Sequence, residues 1–225
     1  VVPRAVTGGS TERDVLPRNY SFLAAAAGGC HPVRFNPCQP VPYVLNAALA
    51  PAGGVADIHK ALARLGAATG IEFVFEGMTD EASGPGRRAY QPDRYGARWA
   101  PLLVTWARLG PGRGDDQVVG RARPDRVGDV YVSGLLELNV DAVLDRETGE
   151  PLPDGFGPPK RTWGRVMMHE LGHLVGLGHV DNPGQLMYEE LAEHTSPTAQ
   201  YQVGDAIGLR LLGREAGCVE TPPVR

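Results

Sequence analysis

The chain has 225 residues, enough for one large domain, and 42% of them are hydrophobic. Its formal net charge is −4, and no basic stripe is present, which argues against nucleic acid as a partner. No apolar run approaches the roughly 18 residues that a membrane-spanning helix needs. The 30 glycines and 20 prolines predict many turns and loops.

Hydrophobic periodicity predicts a long helix among several strands. Apolar residues recur at helical spacing over 55–68, and Gly70 can end this helix as a C-terminal cap. Short apolar or alternating runs bounded by Gly and Pro predict strands elsewhere, and Pro124 is expected to end the edge strand. The predicted strands are 40–46, 71–76, 102–106, 118–122 and 130–139.

Two further helices are predicted in the last third of the chain. Thr162 is expected to cap a helix that runs to about Gly176, and Ser196 or Thr198 to begin a last helix that stops at Gly213. Strands that precede the main helices indicate the α+β class. The predicted organisation is an N-terminal arm or residual pro-segment at 1–37, a folded domain at 38–213 and a C-terminal tail at 214–225.

Cys30, Cys38 and Cys218 are the three cysteines, and none forms a CxxC pair, which argues against a zinc ribbon. A Cys38–Cys218 bridge would tie the two ends of the predicted domain together. A local Cys30–Cys38 loop and three reduced thiols are the alternatives. We favour the long bridge, although spacing alone does not determine connectivity.

A metal-ligating pattern lies in the predicted helix before Gly176. HELGH at 169–173 is an HExxH motif, in which His169 and His173 lie one turn apart on one helical face. Two imidazoles so placed can bind one zinc ion at about 2.0–2.1 Å. Glu170 is displaced around the helix, so its carboxylate can reach a water molecule beside the metal without binding the metal. A lone HExxH is a weak signal, because an ordinary helix can contain one by chance.

The residues that follow extend the prediction to a third ligand. The longer pattern is HExxHxxGxxH, and it ends at His179. A continuous helix would carry His179 away from the other two histidines, but Gly176 can adopt a positive φ and turn the chain back. Three protein ligands leave the fourth position open, as in catalytic zinc sites. Met187, eight residues further on, is expected to pack beneath the imidazoles.

These residues together predict peptide hydrolysis by a zinc-activated water. Zinc lowers the pKa of its water and polarises the scissile carbonyl, while Glu170 acts as the general base and passes the proton to the leaving amine. One catalytic zinc ion, bound by His169, His173 and His179, is therefore predicted. The alternative is a structural zinc site that a fourth ligand closes, and His194 is the candidate for that ligand.

The motif and its surroundings resemble the metzincin clan and, within it, the matrixins, a family of matrix metalloprotease-like catalytic domains. The matching stretches are HELGHLVGLGH at 169–179, LMY at 186–188, and 204–213, which is similar to the last helix of matrixins. Weaker matches extend the resemblance to about 38–213. It implies a twisted, mostly parallel five-stranded sheet with three helices.

The resemblance also implies an activity and a location. It identifies 38–213 as a catalytic domain whose edge strand binds an extended protein or peptide substrate, with Val119, Gly120 and Tyr188 as candidate substrate contacts. It implies a secreted, extracellular enzyme, which fits a disulfide, and a monomer is expected. A non-catalytic zinc-stabilised binding or inhibitory module on the same fold is the alternative, and the intact Glu170 argues against it.

Some positions depart from the matrixin pattern. Arg121 stands where matrixins have a histidine of a second, structural zinc site, so one zinc ion is expected rather than two. Cys30 on the arm is a candidate thiolate ligand for the open metal position, against the plainer interpretation of a disulfide or a buried thiol. Calcium is a further candidate cofactor, although solvated loop charges are the simpler interpretation of the acidic residues that would bind it, namely Asp115, Asp116, Asp129 and Asp141.

Overall fold

The computed structural model describes residues 19–29, 31–110, 118–145, 148–158, 161–190 and 195–224. In chain order the elements are β1 (Ser21–Phe22), β2 (Val41–Asn46), α1 (Gly54–Thr69), β3 (Phe73–Met78), α2 (Pro92–Tyr95), β4 (Leu102–Ala107), β5 (Gly120–Val127), β6 (Val130–Asn139), β7 (Val143–Asp145), β8 (Glu150–Pro151), α3 (Trp163–Val175), β9 (Leu177–Gly178), α4 (Val203–Leu212) and a 3-10 turn (Arg214–Ala216).

Strands β2 to β6 form a five-stranded sheet in the order β3-β2-β4-β6-β5. Strands β3, β2, β4 and β6 run parallel to one another, and β5 runs antiparallel to β6 at one edge. The central strand β4 is buried along nearly its whole length, as a parallel strand covered on both faces should be. The α+β class with a mostly parallel five-stranded sheet and three long helices, α1, α3 and α4, is confirmed.

The edge strand β5 is longer than the sequence suggested. Pro124 was expected to end it, and this is wrong, because the strand continues to Val127. Pro124 faces Gly134 of β6. An edge strand tolerates proline because only one of its two sides belongs to the hydrogen-bonded ladder.

The helices begin and end at residues with identifiable roles. α1 buries a stripe that includes Ile58, Leu62 and Leu65, and it ends at Gly70, which has a φ of 70°. The last helix begins at Val203 rather than at Ser196 or Thr198, so that prediction is wrong. Gln202 and Asp205 form a reciprocal capping box at its start. The hydroxyl of Ser196 instead donates to the carbonyl of Thr198, so it caps no helix.

A large core lies between the sheet and helices α1 and α3. A smaller cluster of Val44, Leu103 and Leu135 lies on the opposite face of the sheet. Near it, the buried guanidinium of Arg87 binds Glu81 and the carbonyl of Pro101, so it fixes the 79–101 connection to the sheet.

Both ends of the described chain are attached to this body. Cys38 and Cys218 form a disulfide, which confirms the favoured pairing, and Cys30 lies outside the described residues. Val33 and Phe35 are buried in the main core, although they precede the predicted domain boundary at residue 38. That boundary stays a prediction. Among the described residues, no helix has the length and apolar character that a membrane span requires.

Candidate metal centre

Helix α3 carries two of the three histidines of the motif. Thr162 caps it, since the Thr162 hydroxyl accepts a hydrogen bond from the backbone N–H of Arg165 at 3.3 Å. His169 and His173 lie four residues apart, and their Nε2 atoms are 3.1 Å apart. The rest of the helix is almost wholly buried, which holds this pair against the body of the domain.

Gly176 ends α3 and reverses the chain. Its φ is 116°, in the region that favours glycine, and its N–H donates to the carbonyl of His173 at 2.9 Å. A Cβ at this position would also lie 3.0 Å from the ring of Tyr131. The short strand β9 follows at once and leads to His179.

The turn brings the third histidine to the first two. The Nε2 atom of His179 lies 3.0 Å from that of His173 and 3.2 Å from that of His169. In a tetrahedral site with zinc–nitrogen distances of about 2.0–2.1 Å, two ligand nitrogens lie about 3.3 Å apart. The three-histidine cluster therefore fits a zinc site.

Hydrogen bonds at the other ring nitrogens set the tautomers of two histidines. His169 Nδ1 lies 2.9 Å from the carbonyl oxygen of Leu186, and His173 Nδ1 lies 2.8 Å from that of Leu177. A carbonyl only accepts, so each Nδ1 carries the proton and each Nε2 keeps its lone pair for a cation. Burial, together with the nearby His179, lowers the pKa of His173 to about 4, against the smaller opposing effect of the Leu177 carbonyl, and this keeps the ring neutral.

His179 is the most exposed of the three. Its side chain is 40% exposed, and its Nδ1 lies 3.8 Å from the carboxylate of Glu189. Burial lowers its pKa, and Glu189 partly opposes that effect. The exposed ring leaves one side of the cluster open to solvent.

Glu170 lies between α3 and the edge strand β5. It is buried, and its carboxylate accepts a hydrogen bond from the backbone N–H of Ala122. Burial raises its pKa to about 8, while the Ala122 N–H and the charge of Arg121 act in the opposite direction. A Cβ at Gly120 would lie 2.7 Å from Glu170 Cγ, so the absence of a side chain at Gly120 gives this carboxylate its space.

Met187 packs under the helix that carries the first two histidines. It is 1% exposed, and a Cβ on Gly172 would come within 2.5 Å of its sulfur. The backbone of the turn is fixed as well, because the N–H of Val180 donates to the Met187 carbonyl at 3.1 Å. The thioether therefore packs closely against α3 at Gly172, the residue before His173.

Residues 147–212 match the family model of the matrixins, Peptidase_M10. The matched segment carries all three histidines, Glu170 and Met187, so the resemblance to a metzincin-like zinc site is confirmed. A comparison with curated proteins gives no match to the chain.

The matrixin-like segment contains two supporting residues that the sequence did not reveal. The buried carboxylate of Asp205 accepts hydrogen bonds from the N–H groups of Leu186 and Met187 at 2.7 and 3.2 Å. Gln185 Oε1 accepts in return from the N–H groups of Gly204 and Asp205. The start of α4 thereby holds the Met187 turn. The Q-x-x-D spacing at 202–205 was the available signal, but it indicates only a helix cap.

The candidate substrate contacts lie on two sides of the matrixin-like site. Val119 is buried, and its carbonyl accepts from the N–H of Asn139. Gly120 opens β5 beside Glu170, and Tyr188 forms an isolated parallel bridge with Val180. Their role in substrate binding stays a prediction.

Only some of the other candidate metal ligands are among the residues that the structure describes. Asp129 accepts a hydrogen bond from the N–H of Ala27 at 3.0 Å, and Asp141 pairs with Arg108. Calcium binding stays a prediction. Three further candidate ligands, Asp115, Asp116 and His194, lie outside the described residues.

Proposed function

We propose that this protein is a secreted zinc-dependent endopeptidase in which His169, His173 and His179 bind the metal. The observation that carries the proposal is the convergence of the three Nε2 atoms to within 3.0–3.2 Å, on a cluster with one open side, next to a buried carboxylate. The matrixin match over the same segment supports a metallopeptidase-type domain.

Glu170 is the proposed general base. When bound, zinc supplies Lewis acidity for attack on a peptide carbonyl. Burial raises the pKa of Glu170 to about 8, but the charge of a bound zinc ion would favour its carboxylate form. This carboxylate would take a proton from the attacking water and deliver it to the nitrogen of the leaving amine, so the peptide is cut without a covalent intermediate. The hydrogen bond from the Ala122 N–H orients the carboxylate, and Gly120 leaves it space.

The outer edge of β5 is the proposed binding surface for the substrate. β5 is the last strand of the sheet, so within the described part of the chain no strand lies along its outer side, and it packs against α3. An extended peptide can add to such an edge through backbone hydrogen bonds. Gly120 would contact the substrate through its backbone, whereas the carbonyl of Val119 already accepts from the N–H of Asn139 on the β6 side, so Val119 would act by fixing the start of this edge.

The disulfide supports the extracellular location. Cys38–Cys218 joins residues 180 positions apart, and such bonds persist in oxidising compartments and are rare in the cytosol. A protein or peptide substrate outside the cell and a monomeric enzyme complete the proposal.

A variant of the base separates metal binding from catalysis. We expect the wild-type protein to bind one zinc ion, to hydrolyse casein and to lose this activity with a chelator. Glu170→Gln should lower kcat/KM by at least about 10²-fold, because it removes the base. It should keep the zinc content, because Glu170 is not a ligand. Glu72→Gln, at an exposed glutamate before β3, is the matched control and should retain full activity.

The same experiment can contradict the proposal. If wild-type protein is folded and zinc-replete but cleaves no peptide in a diverse library, a non-catalytic binding module is the better description. If wild-type and Glu170→Gln proteins cleave equally well, Glu170 is not the base.

A further inference from the structure

A short N-terminal strand lies against the segment that carries the third histidine. In β1, Ser21 faces Gly178 and Phe22 faces Leu177 in antiparallel register. The N–H of Leu23 adds a hydrogen bond of 2.9 Å to the carbonyl of Gly176. The strand therefore runs along the chain from the turn at Gly176 to the residue before His179.

Side chains of this strand extend the contact to both sides of His179. The hydroxyl of Ser21 donates to the backbone carbonyl of His179 at 2.6 Å. The amide of Asn182 donates to Asn19 Oδ1 at 2.8 Å. Residues 176–182, which contain the third histidine, are thus held at their start, middle and end by residues 19–23.

Glycines make room for the strand. A Cβ on Gly178 would lie 2.5 Å from Ser21 Oγ, and one on Gly204 would lie 2.1 Å from the carbonyl oxygen of Asn19. Neither contact is possible with a larger residue unless the strand moves. The close fit involves both β9 and α4, so residues 19–23 are packed into the domain.

His179 depends on this support more than the other two histidines do. The rings of His169 and His173 each have a backbone carbonyl within 2.9 Å of Nδ1, and both residues are on α3. The nearest described carboxylate to His179 Nδ1 is that of Glu189, at 3.8 Å, and the His179 side chain is 40% exposed. Its position is therefore set mainly by its backbone, whose carbonyl binds Ser21.

We infer that residues 19–23 are a positioning strand for His179 and that their docking raises the affinity of the site for zinc. The inference rests on the proposed metal centre, and it gives this part of the predicted arm a supporting role instead of an inhibitory one. Outer contacts that orient a metal ligand typically contribute 10–100-fold to affinity. By linkage, the metal must favour the docked strand by the same factor that docking contributes to metal binding. A partner or a cleavage that removes residues 19–23 from the domain would consequently weaken zinc binding by the same factor.

Zinc affinity tests the inference without any activity assay. We expect Ser21→Ala to weaken zinc binding about tenfold or more in competition with a chromophoric chelator. Gly178→Ala keeps the Ser21 hydroxyl but displaces the strand, and it should have a similar effect. Thr221→Ala is the matched control: its hydroxyl also joins a terminal segment to the body, 2.7 Å from Gln39, but not at the metal site. It should leave the affinity unchanged.

Hydrogen exchange provides the reciprocal readout. Zinc should slow exchange of the Leu23 amide in the wild-type protein and have a smaller effect in Ser21→Ala, whereas a merely structural contact would not respond to the metal. Wild-type zinc affinity in both Ser21→Ala and Gly178→Ala would overturn the inference. Failure of the wild-type protein itself to bind zinc would instead refute the metal centre, and zinc binding without proteolysis would refute only the proposed activity.

Discussion

Asp205 and Leu186 form a link from the last helix to the first metal-site histidine. The carboxylate of Asp205 accepts the N–H of Leu186 at 2.7 Å, and the carbonyl of the same Leu186 lies 2.9 Å from Nδ1 of His169. One peptide segment thus joins the cap of α4 to the ring that would bind zinc.

Replacement of Asp205 by Asn tests this link. The carboxylate accepts three backbone N–H groups, from Gln202, Leu186 and Met187, whereas an amide would direct N–H groups at some of these donors. We expect Asp205→Asn to lower the free energy of unfolding by about 1–3 kcal/mol, measured by urea denaturation. Asp93→Asn, at an exposed position of α2, is the control and should have little effect. Unchanged stability in Asp205→Asn would show that the three hydrogen bonds are dispensable.

Glu81 predicts part of the acid sensitivity of the fold. Burial raises the pKa of this carboxyl, but hydrogen bonds from Tyr95 and Gln91 and the charge of Arg87 together outweigh burial, so the pKa is lowered. A carboxyl with a lowered folded-state pKa stabilises the fold above its unfolded-state value of about 4.3, and this stabilisation is lost as the pH falls through the folded-state value.

The measurement is the free energy of unfolding as a function of pH for the wild-type protein and Glu81→Gln. We expect the difference between the two to be largest above about pH 5 and to shrink as the pH falls below about 4, where the wild-type carboxyl takes up its proton. Glu72→Gln should follow the wild-type curve. A difference that stays constant from neutral to acid pH would show that Glu81 stabilises the fold by packing alone.

Short-range sequence patterns predicted helix α3 and the turn after it, because contacts between nearby residues determine both. Thr162, the four-residue spacing of His169 and His173, and the glycine at 176 each act within a few residues of chain, so the helix and its turn could be predicted. The contact of Ser21 with His179 joins residues 158 positions apart, and no short-range pattern encodes it. The start of α4 was misplaced for a related reason. Ser196 and Thr198 are of residue types that commonly cap helices, whereas the long-range partners of Asp205, Leu186 and Met187, help to place the start at Gln202.

The disulfide should contribute strongly to stability. Cys38 and Cys218 close a loop of nearly the whole domain, and a bond of this kind constrains the unfolded chain. We expect the double variant Cys38→Ser/Cys218→Ser to lose about 2–5 kcal/mol in the free energy of unfolding. A reductant should lower the melting temperature of the wild-type protein but not of the double variant. Cys30→Ser keeps the bridge, and its response to the reductant should match that of the wild type.

A buried arginine should reduce stability at the start of α3. Arg165 is 1% exposed, and only its Nη2 has a described partner, the carbonyl of Ser196 at 2.8 Å. Nε and Nη1 are buried, and neither has a hydrogen-bond partner among the described residues. Burial lowers the pKa of this guanidinium, which indicates that its charge is poorly solvated. Buried donors without acceptors each cost about 1–3 kcal/mol.

Arg165→Met retains most of the side-chain length and removes the charge and both unsatisfied donors, at the loss of one hydrogen bond. We therefore expect this variant to raise the free energy of unfolding by about 1–3 kcal/mol. Arg210→Met, in an exposed ion pair with Glu215 on the surface, is the matched control and should change it by less than about 0.5 kcal/mol. A lower stability of Arg165→Met in urea denaturation would mean that the guanidinium stabilises the junction of α3 with residue 196 despite its burial.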